Sequence, residues 1–71
     1  MFKNRIAYWA KEKGIRYNFL AKKAGVSPQT FSKWVKNETQ PNLKQSYILA
    51  RTLCIAVDDL CEFEEDDENE L

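Results

Sequence analysis

Apolar residues recur at three- and four-residue steps along most of this chain, the period of a helix with one buried face. Phe2, Ile6, Trp9 and Ala10 form the first such stripe and predict a helix ending at Gly14, with Ile15 free to cap the core from the loop. A second helix is predicted from about Tyr17 to Ala24, with Leu20, Ala21 and Ala24 on one face. Gly25 ends it, because the residue just past a helix often takes a positive φ that glycine adopts without a Cβ clash. Ser27-Pro28 restarts the chain as helix: serine accepts from a free backbone N–H, and proline fits the first helical position. Phe31, Trp34 and Val35 are the inward positions of this third helix, and Pro28, Gln29, Ser32, Lys33 and Lys36 the outward ones. Asn37 can take a left-handed cap, "ETQP" reads as a loop, and Asn42 caps a fourth helix over 43–53 in which Tyr47, Leu49, Ala50 and Leu53 are apolar. A short fifth helix spans about 57–61. No strand pattern and no internal repeat is visible, so the fold class is all-α, a compact five-helix bundle.

The stretch "LAKKAGVSPQTFSKW" carries the functional signal. Two helices crossing at about 90–120° through a three- to four-residue turn need a small residue at their closest approach and a glycine in the turn. Ala21 supplies the first and Gly25 the second. In a helix-turn-helix of this kind the second helix enters the DNA major groove.

Charge sharpens this reading. The formal net charge of zero hides an asymmetry: all 11 Lys and Arg lie between Lys3 and Arg51, where Glu12 and Glu38 are the only acids, a net +9. From Asp58 onward there are 9 acids and no base. A basic body with an acidic tail points to a polyanion partner. We divide the chain into a domain over 1–61 and an acidic tail over 62–71, expected to be mostly disordered because it lacks periodicity and repels itself.

Seventy-one residues allow one modest core. No apolar run approaches the roughly 20 residues that span a bilayer, and the charged start is not a signal peptide, so a cytoplasmic protein without membrane partners is expected. Cys54 and Cys61 form neither a disulfide framework nor, in a chain without His, a metal site; they read as small apolar residues, and no cofactor is expected. The same lack of His and of any clustered base argues against an enzyme.

Taken together, "AKKAGVSPQTFSKW", Pro41 and the Leu-rich run of the fourth helix resemble the Cro/repressor-like, or Xre-type, helix-turn-helix family over about residues 2–61. The resemblance implies a lambda-repressor-like DNA-binding domain that often acts as a homodimeric transcriptional regulator. Several positions depart from it. Where the family usually pairs an Arg in helix one with a Glu in helix three, this chain has Ala10 and Val35, an apolar exchange of both partners that strands no buried charge. Arg16 and Tyr17 replace the usual Thr or Ser cap and Gln of helix two, Glu38 stands in a commonly basic loop, and Cys54 takes the place of a usual Gly.

By position in the motif, Pro28, Gln29, Ser32 and Lys33 are the candidate base contacts. Gln can pair with adenine through two bonds, and Lys can donate to guanine O6 and N7. Arg16, Tyr17, Ser27, Thr30, Lys36, Asn37, Thr39, Gln40 and Lys44 are candidates for the DNA backbone. Against each stands an ordinary reading: an outward Gln or Lys is commonly just solvated, Ser27 is first an N-cap, Trp34 packs inward, and Lys22 and Lys23 form a solvated face. Ile48, Ile55, Val57 and Leu60 are the candidate dimer surface, while Phe19 fits no core position. The leading expectation is a sequence-specific regulator, a homodimeric repressor of phage, mobile-element or bacterial origin that binds double-stranded DNA. The alternative keeps the fold as a protein-interaction module (an antirepressor, inhibitor or antitoxin-like partner) that engages a protein through the tail or Phe19.

Overall fold

Five helices carry the chain from Ile6 to Leu60 in a computed structural model that describes residues 1–63. They are α1 (Ile6–Lys13), α2 (Tyr17–Ala24), α3 (Pro28–Val35), α4 (Leu43–Leu53) and α5 (Val57–Leu60). α2 packs against both α3 and α4, α1 against α3 and α4, and α5 against α4. Ile6, Leu20, Phe31, Leu49, Leu53 and Leu60 are fully buried where these faces meet. Trp34 joins them, its ring 5.7 Å from that of Phe31. Ala10 is buried and Val35 packs on the core from its edge, so both positions that lack the family's charges are apolar contacts. Among the described residues no helix is long and apolar enough to cross a membrane.

α1, α2 and α4 end in the same way. Gly14, Gly25 and Cys54 take positive φ values of 67°, 75° and 61°. The next residue then donates its N–H five positions back: Ile15 to Ala10 O, Val26 to Ala21 O and Ile55 to Ala50 O, at 2.9, 3.0 and 2.9 Å. This is the Schellman geometry, in which an apolar residue after the cap folds back on the helix. Ile15, Val26 and Ile55 all pack on the core. Around Gly25 no atom lies within 4 Å of where a Cβ would stand, so the glycine serves the left-handed backbone and not a tight approach.

Cys54 holds that left-handed conformation with a side chain that is exposed and outside any disulfide. Cys54→Gly is therefore expected to stabilise the domain by about 0.5–1 kcal/mol, the relief of an αL residue less the added freedom of the unfolded chain. Denaturant titration reads the change. Asn37 also has a positive φ, 62°, but its side chain is bonded to Asn4 and Gln40, so Asn37→Gly should destabilise.

α3 and α4 start on the expected caps. Ser27 Oγ accepts from Thr30 N at 3.2 Å. Asn42 and Gln45 form a reciprocal capping box: Asn42 Oδ1 accepts from Gln45 N at 2.7 Å, and Asn42 N donates to Gln45 Oε1 at 2.8 Å. Asp59 closes the start of α5 by accepting from Ala56 N.

One expectation is corrected at the two ends of the fold. The chain does contain strands: β1 (Phe2–Asn4) pairs antiparallel with β2 (Cys61–Phe63), placing Phe2 opposite Phe63, Lys3 opposite Glu62 and Asn4 opposite Cys61. Phe2 accordingly leaves the stripe predicted for α1 and is 43% exposed. α5 stops at Leu60, and Cys61 belongs to the strand. Three-residue strands carry too little alternation to be seen in a sequence, and these two lie at opposite ends of the described chain. Residues 62 and 63 of the acidic segment are thus paired, and the expectation for 64–71 lies outside the described residues. Tyr47, grouped with the apolar face of α4, is exposed and meets the guanidinium of Arg51.

Candidate nucleic-acid interface

α3 is the second helix of the helix-turn-helix, and its two faces are divided by its own sequence. Phe31 and Trp34 enter the core, while Pro28, Gln29, Ser32, Lys33 and Lys36 are all exposed. The side chains of Gln29, Lys33 and Lys36 make no hydrogen bond or ion pair with the other described residues, so their polar ends stay available. Ser27 holds the N-terminus of this helix, and its hydroxyl also donates to Thr30 Oγ1 at 3.2 Å.

α2 contributes its N-terminus. Arg16 is extended at the N-cap position and provides no side-chain cap, so the first amides of α2 keep the partnerless N–H groups that favour an anion. The exposed Arg16 side chain stands at that same end. Next to it the ring of Tyr17 lies 5.5 Å from that of Phe31, tilted by 50°. Tyr17, Asn18 and Ala21 of α2 face Pro28, Phe31, Ser32, Val35 and Lys36 across a groove of about 310 Å³. Four residues expected at DNA, Tyr17, Pro28, Ser32 and Lys36, therefore come together around one cleft.

Asn37 and Gln40 are placed differently from a simple row of phosphate contacts. Both are tied into a network centred on Asn4, which is buried. Asn4 N donates to Asn37 Oδ1, and Asn4 Nδ2 donates to Trp34 O and to Gln40 Oε1, each at 2.7 Å. Asn4 Oδ1 accepts from Ile6 N at 3.0 Å, and Gln40 Nε2 donates to Asn37 Oδ1 at 2.9 Å. One asparagine thus starts α1, closes the C-terminal end of α3 and orders the loop after it. Sequence reasoning passed over Asn4 because a lone Asn near a chain start has no periodic or motif context. Its sequence signal is slight: an Asn two residues before the first helical apolar residue.

Thr39 and Lys44 are exposed, Lys44 in the first turn of α4, and Thr30 is half-buried. Of the four dimer candidates, Leu60 is 1% exposed within the monomer's own core. Ile55 is the apolar clasp of the α4 cap and packs on the same core. Leu60 is corrected, since its burial is spent inside one chain, while Ile55 stays half-buried. Ile48 and Val57 are half-buried. Phe19 is exposed, with Lys23 Nζ 5.4 Å from its ring centre.

A family model described as helix-turn-helix matches residues 6–60, which span α1 to α5. The chain belongs to the Cro/repressor-like helix-turn-helix family. An uncharacterised HTH-type transcriptional regulator of Methanocaldococcus jannaschii is 31% identical over 65 residues, covering 92% of this chain and 98% of that protein. A crystal structure of a Bacteroides fragilis protein described as a candidate DNA-binding protein superposes with a TM-score of 0.83 at 32% identity, covering 87% of this chain and 100% of the other. Within this helix-turn-helix family the departures at Ala10, Val35 and Cys54 now have structural meaning. Ala10 and Val35 are apolar contacts of the core, and Cys54 holds the left-handed cap of α4.

Proposed function

We propose that this chain is a sequence-specific DNA-binding transcriptional regulator that reads the major groove with α3. The observation that carries the reading is the exposed row of α3, with unengaged Gln29, Lys33 and Lys36, on a helix fixed from behind by Phe31 and Trp34. Gln29 and Lys33 contact base edges, with Pro28 and Ser32 beside them. Lys36, Arg16 and the uncapped start of α2 hold phosphates, joined by Tyr17, Ser27, Thr30, Thr39 and Lys44. Asn37 and Gln40 act mainly by holding the loop after α3 in shape. The protein works as a homodimer on two half-sites, with Ile48 and Val57 in the contact surface, and represses by occupying its site. No cofactor enters this reading, and its setting is cytoplasmic.

Selection of bound sites from random DNA, followed by gel shifts at fixed salt, tests this. Gln29→Ala and Lys33→Ala are each expected to reduce discrimination at one base position by about 5- to 100-fold. Lys36→Ala should weaken all sequences alike and lower the salt slope by about one ion. If none of the three variants differs from the parent protein, α3 is not the reading helix.

Phe19, exposed beside Lys22 and Lys23, favours a second reading as a protein-interaction module. Salt separates the two: DNA binding falls steeply with ionic strength, and an apolar protein contact does not.

A further inference from the structure

We propose that the groove between α2 and α3 receives the 5-methyl group of a thymine, making Tyr17 and Pro28 specificity determinants; the inference rests on the DNA-binding reading above. The groove belongs to the reading face, because Pro28, Ser32 and Lys36 lie one helical turn apart along α3 and form its edge toward the polar row of Gln29 and Lys33. The rest of its lining, Tyr17, Asn18 and Ala21 of α2 with Phe31 and Val35 of α3, is apolar but for Asn18 and the Tyr17 hydroxyl, and Val35 stands where the family usually carries a Glu. The Tyr17 ring, braced against Phe31 at 5.5 Å, is a prepositioned wall and not a loose side chain.

An apolar recess on a DNA-facing surface has few chemical partners. Asn18, Ser32 and Lys36 in the lining can bond a phosphate or a polar base edge, but Ala21, Pro28, Phe31 and Val35, which make most of the recess apolar, offer such groups no bond. The apolar group that the major groove presents is the thymine C5-methyl. Lys36 on the rim suits a backbone phosphate next to the base whose methyl enters. The assignment thus differs from the hydrogen-bond readout given to Gln29 and Lys33: it predicts discrimination that a methyl group alone carries.

The test starts from a site selected on random DNA and replaces each thymine in turn with uracil, which removes the methyl and leaves pairing unchanged. Binding of the full chain is measured by fluorescence anisotropy at fixed salt. For the parent protein, one uracil substitution in each half-site should lower affinity about fourfold, the effect of burying one methyl group. In Tyr17→Ala and Pro28→Ala, each shown by thermal melting to be folded, the same substitution should change affinity by less than about twofold. The salt slope of the uracil-substituted site should equal that of the thymine site, because a methyl carries no charge. A site on which every uracil is tolerated, or on which both variants retain the full loss, overturns the inference and leaves the DNA-binding reading standing. Selection that enriches no site at all removes that reading, and this inference with it.

Discussion

Asn4→Ala should lower the stability of the domain by about 1–3 kcal/mol, chiefly the cost of leaving the buried Ile6 N–H without its acceptor. Ile6 N loses Oδ1 at the start of α1, Trp34 O loses the donor Nδ2 but keeps the Asn37 N–H, and the exposed Gln40 Oε1 loses Nδ2. The Asn4 backbone N–H keeps its bond to Asn37 Oδ1, so the loop is loosened and not released. Urea denaturation followed by circular dichroism measures the loss. Asn4→Asp is the informative companion, since it retains an acceptor for Ile6 N but sets a carboxylate against the Trp34 carbonyl. It should be at least as unstable as Asn4→Ala near pH 7. Because such a carboxyl favours its neutral form in the folded state, its stability relative to Asn4→Ala should improve as the pH falls. A loss under about 0.5 kcal/mol in both variants would show that the network carries no net stabilisation.

Phe31→Ala should be the most damaging change in α3, removing about 3–5 kcal/mol. The side chain is fully buried, touches the rings of Tyr17 and Trp34, and joins α3 to α2. A domain of this size has a total stability of about 4–10 kcal/mol, so a cavity here takes away much of it. The expected result is a strongly lowered or absent thermal transition at neutral pH. Gln29→Ala, two positions earlier on the exposed face, should stay within about 0.5 kcal/mol of the parent. Equal melting of the two variants would mean that α3 is not anchored through its inward face. The pair also separates the two faces of one helix: Phe31 supports the structure, and Gln29 lies on the exposed face.

Much of the helix-turn-helix was legible before the structure. The bounds of α2 and α4, the start of α3, the left-handed Gly25 and Asn37, and the Ser27 and Asn42 caps follow from signals within a few residues of one another. Local rules suffice for these, since capping and turn conformations depend on neighbours in the chain. The candidate contact residues on α3 were legible for the same reason, through their place on the face opposite Phe31 and Trp34.

The misplacements have a common origin. Leu60 looks like a surface-forming apolar residue when the neighbours that cover it are unknown, yet it fills the core. Phe2 continues the three- and four-residue rhythm of α1, but pairing with β2 draws it into a strand. Asn37 and Gln40 carry only a backbone-contact expectation from sequence, and their bonds to Asn4, more than 30 positions away, appear only in the folded chain.

Helix positions, their inward faces and the basic character of the body were therefore written in short-range patterns, where 3.6-residue periodicity and terminal caps act over one or two turns. Which apolar residues remain outside the core, which polar ones are occupied, and the groove joining Tyr17 to Pro28 and Lys36 emerged from the packed chain. These features depend on contacts between elements distant in sequence, and no local periodicity encodes who the partner will be.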